Sequence, residues 1–494
     1  MPDIAKILHT ALQVLLILLG FNLIIFVHEL GHFLAGRWRG LKIDRFQIWF
    51  GKPIWKKTWN GVQYGLGWLP FGGFVSLPQM APMESIEGRT SEKGEPLAPI
   101  SPLDKIIVAI AGPLFSLLLA LAAAGIVSVV GKPVDTIPTT KVGSVDKDSP
   151  GAKAGIRTGD TILAVNGQKV EVFAGSSKMN GIFEQIILSK GQEIHFTIQR
   201  EGEPQPIELV SKFDIPETKW YQRKALREVG ISPMPEMVLV STVMKGSPAE
   251  RAGLKQWDRL VSVNGRKVAC VSDFLKFIAE AGTTPVEIAY ERTSEGHDKM
   301  EDMKLSELKK LPWTPGTATV QAEVPVSPAN HAPMVGLAPA DIADQTSDTR
   351  TPGAWEQIGE SLSMMWTTLD RVTSKDSSIG IDHLSGPAGI AKAQYRMLQM
   401  ENPYNRLLGF FVLFNVNLAV LNMLPFPVLD GGHILLALME SIARRPVKAR
   451  ALEWVQTAFA LMLISLMLYV TSKDLFGDIG GHRRDAPEVV FKQP

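Results

Sequence analysis

Along the chain, long apolar runs alternate with stretches in which charged residues crowd together. Four runs, Ile7–Val27, Ile106–Gly131, Leu407–Leu429 and Val455–Ser472, contain no Asp, Glu, Lys or Arg. A helix needs about 20 apolar residues to cross a bilayer core, so the runs predict four membrane spans. The first is too long for the apolar region of a cleaved signal peptide, and no A-x-A site follows it. It is read as a retained span. Residues 354–372 show a different spacing, with apolar positions at Ile358, Leu362, Met365, Trp366 and Leu369. That periodicity predicts an amphipathic helix, either lying on the bilayer as a gate or packing plainly against its neighbours.

Between the second and third runs the chain repeats itself. VGSVDKDSPGAKAGIRTGDTILAVNGQKV, from Val142, aligns without gaps to VSTVMKGSPAERAGLKQWDRLVSVNGRKV, from Val240. VGISP at 229–233 and VGLAP at 335–339 match in turn. Each unit reads as a short helix capped by Ser149 or Ser247, with proline in its first turn. A strand such as TILAV follows, and then an Asn-Gly hairpin turn. This pattern resembles the PDZ domain, twice, in the permuted form whose last strand lines the peptide groove. The resemblance implies that Val229, Gly230 and Ile231, and Val335, Gly336 and Leu337, form loops able to receive a chain terminus beside a strand edge. Spacers or steric filters without a ligand are the other reading. Trp257 stands where the first unit has Gly159, a departure at that turn.

Composition narrows the classes. Lysine plus arginine number 51 against 50 acidic residues, so nucleic acid is not the expected partner. The single cysteine, Cys270, excludes an intramolecular disulfide and cysteine-based zinc chemistry. Mean hydropathy is +0.09, high for a soluble chain of 494 residues. Arg37, Arg39, Lys42, Arg45, Lys52, Lys56 and Lys57 follow the first span. Arg444, Arg445, Lys448 and Arg450 lie between the third and fourth. Both clusters are expected on the cytoplasmic side, with the repeat on the other.

LIIFVHELGHFL, residues 23–34, places ionisable groups at the end of a span, where such groups are usually functional. On a helix His28 and His32 share a face and can share one zinc ion, with Glu29 placed to act on water there. A third ligand is needed. Pro425 and Pro427 must break the helix of the third run, and Asp430 follows at that break as the expected ligand. His433 competes with it. Asn422 precedes the break and can hydrogen-bond a peptide backbone; Asn415 and Asn417 serve equally as helix contacts.

HELGH, NMLPFPVLDGG, the paired modules and LSGPAGIAK at 384–392 resemble the site-2 protease family of intramembrane zinc metalloproteases, in the bacterial sigma-E-regulating type with two PDZ domains. The resemblance implies zinc on His28, His32 and Asp430, one ion per chain, and Glu29 as the catalytic group. It places Asn422, Pro425, Asp430 and Gly431 in the family's NxxPxxxxDG motif. Ser116 departs from it, since asparagine is usual there. The implied substrates are single-span proteins already trimmed outside, such as anti-sigma factors, or signal-peptide remnants. The implied setting is stress-responsive regulated proteolysis at a bacterial inner membrane, with the site near the cytoplasmic face and the modules periplasmic. YGLGWLPFGGFVSL, residues 64–77, reads as strand-turn-strand, where the family has a membrane-associated β element. Gly72 and Gly73 would position substrate along its edge, unless the element only seals the site.

The expected fold is therefore an α-helical membrane protein of about four transmembrane helices with an inserted pair of α+β PDZ-like domains. Its segments are span one at 1–35, a β-bearing loop at 36–104 and span two at 105–131. The modules occupy 136–234 and 235–340, and the amphipathic helix with the LSGP segment 350–400. Span three is 405–430, span four 452–472, and a tail fills 473–494. A non-catalytic PDZ scaffold with a relict metal site is the alternative; an intact His28, Glu29, His32 and Asp430 argue against it.

Overall fold

A computed structural model describes residues 4–80, 100–294, 303, 305–325, 333–443 and 449–477. The expected basic residues Arg444, Arg445 and Lys448 and the tail from 480 lie outside the described residues. The chain divides into two compact units. One comprises Met1–Pro133, Thr349–Asp370 and Ile381–Asp478; the other is built from Val134–Asp348 and Arg371–Gly380.

The first unit is helical. Its helices are α1 (Ile4–Trp38), α2 (Pro102–Val130), α3 (Ala354–Thr373, of which this unit holds the part up to Asp370), α4 (Pro387–Leu398), α5 (Pro403–Asn422), α6 (Asp430–Ala443) and α7 (Ala449–Phe476). Among the described residues four stretches are long and apolar enough to cross a membrane: Ile7–Trp38, Pro102–Val130, Pro403–Asn422 and Leu452–Phe476. Helix α2 starts from a capping box, Ser101 accepting the Asp104 N–H and Asp104 returning to Ser101. The third apolar run is broken as its prolines require: α5 stops at Asn422 and α6 begins at Asp430. In α3, Ile358 joins the core of Ala120, Ala124, Val127, Val412 and Val416, while Trp355 and Trp366 stay exposed. In the LSGP segment, Asp474 of α7 accepts the N–H groups of Gly386 and Gly389 at 2.9 and 2.8 Å, fixing the start of α4.

Two long bent strands, β1 (Arg45–Trp59) and β2 (Val62–Ser76), complete this unit. Their turn is Asn60–Gly61, with φ of 49° and 80°. The element is thus larger than the strand-turn-strand expected over 64–77: Arg45–Ile48 is flanked by Gln63–Leu66 on one side and Gly73–Ser76 on the other. Phe46, Val62, Val75 and Leu77 bury themselves with Phe33 of α1 and Val108 of α2. This core fixes the sheet against the two helices.

In the second unit both repeats run through the same elements. Strands Val142–Val145 and Met237–Val243 lead into short helices Pro150–Ala154 and Pro248–Arg251, capped by Ser149 and Ser247. Strands Thr161–Val165 and Arg259–Val263 follow. Helices Ile182–Ile187 and Val271–Ala281 come next, and each repeat ends on a strand, Ile231–Pro233 or Leu337–Ile342. Each repeat has its own apolar core, around Ile162, Phe196 and Ile198 in one and Leu260, Phe274 and Ile288 in the other. Trp257 takes φ 72° where Gly159 takes 91°, and each donates its N–H to the preceding strand, at Val240 and Val142. The departure at that turn leaves its hydrogen bond in place.

Candidate metal centre

The site is assembled from α1, α2 and α6. Helical spacing puts His28 and His32 on one face of α1, and the proline break delivers Asp430 at the first turn of α6. His28 Nε2 lies 3.4 Å from Asp430 Oδ2, and His32 Nε2 lies 3.3 Å from Asp430 Oδ1. The two Nε2 atoms are 3.3 Å apart. Among the described residues this is the one grouping of His, Cys, Asp or Glu whose ligand atoms all fall within 4.8 Å. His433, buried nearby in sequence, is outside it. Asp430 Oδ2 is buried without a hydrogen-bond partner, an expensive state unless a cation balances it. Two imidazole nitrogens and a carboxylate suit zinc and leave a coordination position open.

Both histidines are oriented from behind by α2. His32 Nδ1 lies 2.8 Å from the Val108 carbonyl, so Nδ1 carries the proton and Nε2 presents a lone pair. His28 Nδ1 lies 3.0 Å from Ser116 Oγ. Ser116, the residue that departs from the family pattern, is thus the partner of His28, one of the expected ligands. Close packing depends on glycine. A Cβ on Gly31 would lie 2.4 Å from the Ala111 carbonyl oxygen, and one on Gly112 2.1 Å from His32 Nε2. Neither Val108 nor Gly112 stood out in the sequence; the AGP at 111–113 was the available signal.

Glu29 is half-buried beside the histidines, with the Val75 backbone N–H in hydrogen-bond reach of its carboxylate. Gly73 lies beside it too: a Cβ there would be 3.5 Å from Glu29 Cγ and 3.0 Å from Ile25 Cγ2. Gly72 faces elsewhere, at φ 72° against the Phe50 ring. Asn422 places Nδ2 at 3.5 Å from His28 Nε2. Asn415 instead gives its amide to Phe411 of its own helix. Pro425 is exposed in the break. Gly431 and Gly432 are buried with no room for a side chain, since added Cβ atoms would meet the Met423 and Phe426 carbonyl oxygens at 2.2 and 2.0 Å.

The expected groove residues lie in the second unit and are arranged alike in both repeats. Carbonyls of Val229 and Gly230 accept from Gly151 and Asp146; those of Val335 and Gly336 accept from Ala249 and Met244. Gly230 and Gly336 have φ of 71° and 78°. Ile231 and Leu337 each open the closing strand.

Residues 16–466 match the model of peptidase family M50. A Neisseria meningitidis protein that carries a zinc-metalloprotease name is 28% identical over 96% of this chain and 99% of its own. The regulator of sigma E protease of Haemophilus influenzae is 27% identical over 92% of this chain and 97% of its own. The regulator of sigma-E protease of Escherichia coli is 25% identical over 91% and 95%. The buried histidine–histidine–aspartate cluster and the match along most of the chain lead to one assignment: the chain belongs to peptidase family M50, the site-2 proteases, and is a zinc metalloprotease of the membrane.

Proposed function

We propose that the chain is an intramembrane endopeptidase, cleaving within the transmembrane segments of single-span proteins already trimmed on the outer side. The observation that carries this reading is the convergence of His28 and His32, on a span-length helix, with Asp430 at the start of α6, and with Glu29 and an open strand edge alongside. His28, His32 and Asp430 would hold zinc, which supplies Lewis acidity that polarises the scissile carbonyl and acidifies water. Glu29 takes the proton from the attacking water and delivers it to the leaving nitrogen.

A helical substrate hides its carbonyls in i to i−4 hydrogen bonds and has to be extended before attack. Gly73–Ser76 pairs with Arg45–Ile48, and its other edge runs past Glu29, so an unwound substrate can add there as a strand. Gly73, lacking a side chain, lets that strand approach; Gly72 turns the chain into it. Asn422 is placed to hydrogen-bond the substrate backbone, and Pro425 and Gly431 shape the break that presents Asp430. The two repeats act as PDZ domains, Val229–Ile231 and Val335–Leu337 receiving a new terminus or excluding an intact ectodomain. Their shared loop hydrogen bonds and single-sided closing strands support this. The names of the Haemophilus and Escherichia relatives support anti-sigma-type substrates, with signal-peptide remnants as a second source. The site would face the cytoplasmic side of a bacterial inner membrane and the repeats the periplasm.

The test is cleavage of two versions of one single-span substrate, with and without its ectodomain, with fragments mapped by mass spectrometry. The proposal expects cleavage of the trimmed version inside its hydrophobic segment. Cleavage confined to soluble flanking loops would overturn it.

A further inference from the structure

The hairpin formed by β1 and β2 carries a surface that the cleavage chemistry leaves unused. Between Arg45 and Ser76 there is no aspartate or glutamate, while Arg45, Lys52, Lys56 and Lys57 are all basic. Five of the chain's eleven tryptophans fall between residues 38 and 68: Trp38, Trp49, Trp55, Trp59 and Trp68. Phe50, Ile54, Trp55, Trp59, Trp68 and Leu69 are exposed, Ile54 and Trp59 each to 64%. So many exposed apolar side chains have no place on a surface facing water.

Two sets of contacts fix how deep the hairpin reaches. At one end, Asp44 donates its N–H to Ser76 and accepts from Gln63, just beyond the end of α1 at Trp38. At the other, Trp49 Nε1 donates to Asn22 Oδ1, and Gly73 packs on Ile25, both inside the apolar run of α1. Asn22 lies 16 residues before Trp38, a rise of about 24 Å along a helix. The tip with Phe50, Ile54, Trp68 and Leu69 therefore reaches the level of the apolar run. Register pairs Lys57 with Tyr64 and Trp59 with Val62, on the way back to the α1 end. From the apolar tip the surface runs through Trp55 to Lys56 and Lys57, with Trp59 beyond them. Tryptophan belongs at the membrane interface, and lysine there meets phosphate. Lys52 lies at the tip, but its stem is long enough for the amine to snorkel outward.

We propose that this hairpin is an anionic-phospholipid site: Phe50, Ile54, Trp68 and Leu69 insert among acyl chains, and Lys56 and Lys57, with Lys52, hold acidic headgroups of the leaflet at the C-terminal end of α1. The occupant is lipid because the same element that carries the charge also carries the apolar tip, held at the depth of a span. The site rests on the proposed membrane disposition of the hairpin, and it makes the edge strand beside Glu29 responsive to lipid charge.

The experiment places an environment-sensitive fluorophore at Ile54→Cys in the full-length chain. Cys270 is buried and its thiol is pushed up to about 11, chiefly by burial, so it does not compete for the label. The labelled protein is reconstituted into nanodiscs in which a quarter of the lipid is brominated on its acyl chains, as phosphatidylglycerol or as phosphatidylcholine. The expected result is quenching at least about threefold greater by the brominated anionic lipid, reduced by added salt. With Lys52→Gln, Lys56→Gln and Lys57→Gln together, the two lipids should quench equally. Equal quenching with the lysines intact would overturn the headgroup site, and absence of quenching by either lipid would overturn insertion. The lipid comparison stands on the protein with its lysines intact, so it survives a triple variant that does not fold. The readout involves no cleavage, so an inactive enzyme and an unoccupied lipid site give different results.

Discussion

Replacing Gly112 by alanine adds one methyl group at the contact between α1 and α2, and its consequence follows from the geometry. The new Cβ would lie 2.1 Å from His32 Nε2, 2.6 Å from Cε1 and 2.7 Å from Cδ2. Relief to an ordinary van der Waals contact requires a retreat of the imidazole by about 1.3 Å. Metal–ligand distances tolerate only about 0.2 Å. The same movement breaks the 2.8 Å contact to the Val108 carbonyl, a type of loss that alone costs about 10- to 100-fold in metal affinity. Gly112→Ala should therefore weaken zinc binding by at least about 100-fold, with the helices still folded. Gly125→Ala on the same helix is the control, because nothing lies within 4 Å of its added Cβ. Zinc affinity by chelator competition, with thermal unfolding in parallel, reads both variants. Stoichiometric zinc in Gly112→Ala, held within threefold of the parent affinity, would refute the placement of His32.

Ser116→Ala should lower zinc affinity by about tenfold while Ser116→Asn preserves it, measured by the same competition, because His28 Nδ1 needs a partner at 3.0 Å. In the repeats, Asp160 and Asp258 are each 1% exposed and bridged by Arg200 and Arg292. Asp160→Asn and Asp258→Asn should each destabilise their own repeat by about 2 kcal/mol in denaturant unfolding, leaving the metal centre loaded. Cys270 should resist alkylation at pH 8 until the protein is denatured, since burial pushes its thiol from 9.0 up to about 11. The folded state thus holds this proton more tightly than the unfolded one. Its contribution to stability is complete below pH 9 and is lost as pH rises towards 11, so Cys270→Ala should show a shallower loss over that window.

Much of this arrangement is legible in the sequence because each signal has a local cause. Runs without charge give the spans, the i, i+4 spacing gives the histidine face, and Pro425 and Pro427 force the break that frees Asp430. The repeat is visible because its caps and turns use particular residues, Ser149 and Ser247, Asn166 and Asn264. Contacts made across elements are not legible in the same way. Ser116 and His28 are 88 positions apart, and Val108 acts through its backbone, which no side-chain pattern reveals. The β sheet exceeds what its local pattern reveals for a related reason. Asn60–Gly61 is a local turn signal, but the flanking of Arg45–Ile48 on both sides depends on burial against α1 and α2. Trp257 shows the converse: a bulky residue occupies a left-handed position because the hydrogen bond to Val240 over-determines that turn.

Glu29 is proposed to move protons at a metal held by His28, His32 and Asp430. The most direct measurement compares the purified parent with Glu29→Gln, assaying bound zinc and cleavage of a trimmed single-span substrate on the same samples. One zinc per chain is expected in both proteins and cleavage only by the parent, with a loss of at least about 100-fold on substitution. Cleavage by Glu29→Gln at a rate near that of the parent, with zinc in place, would contradict it.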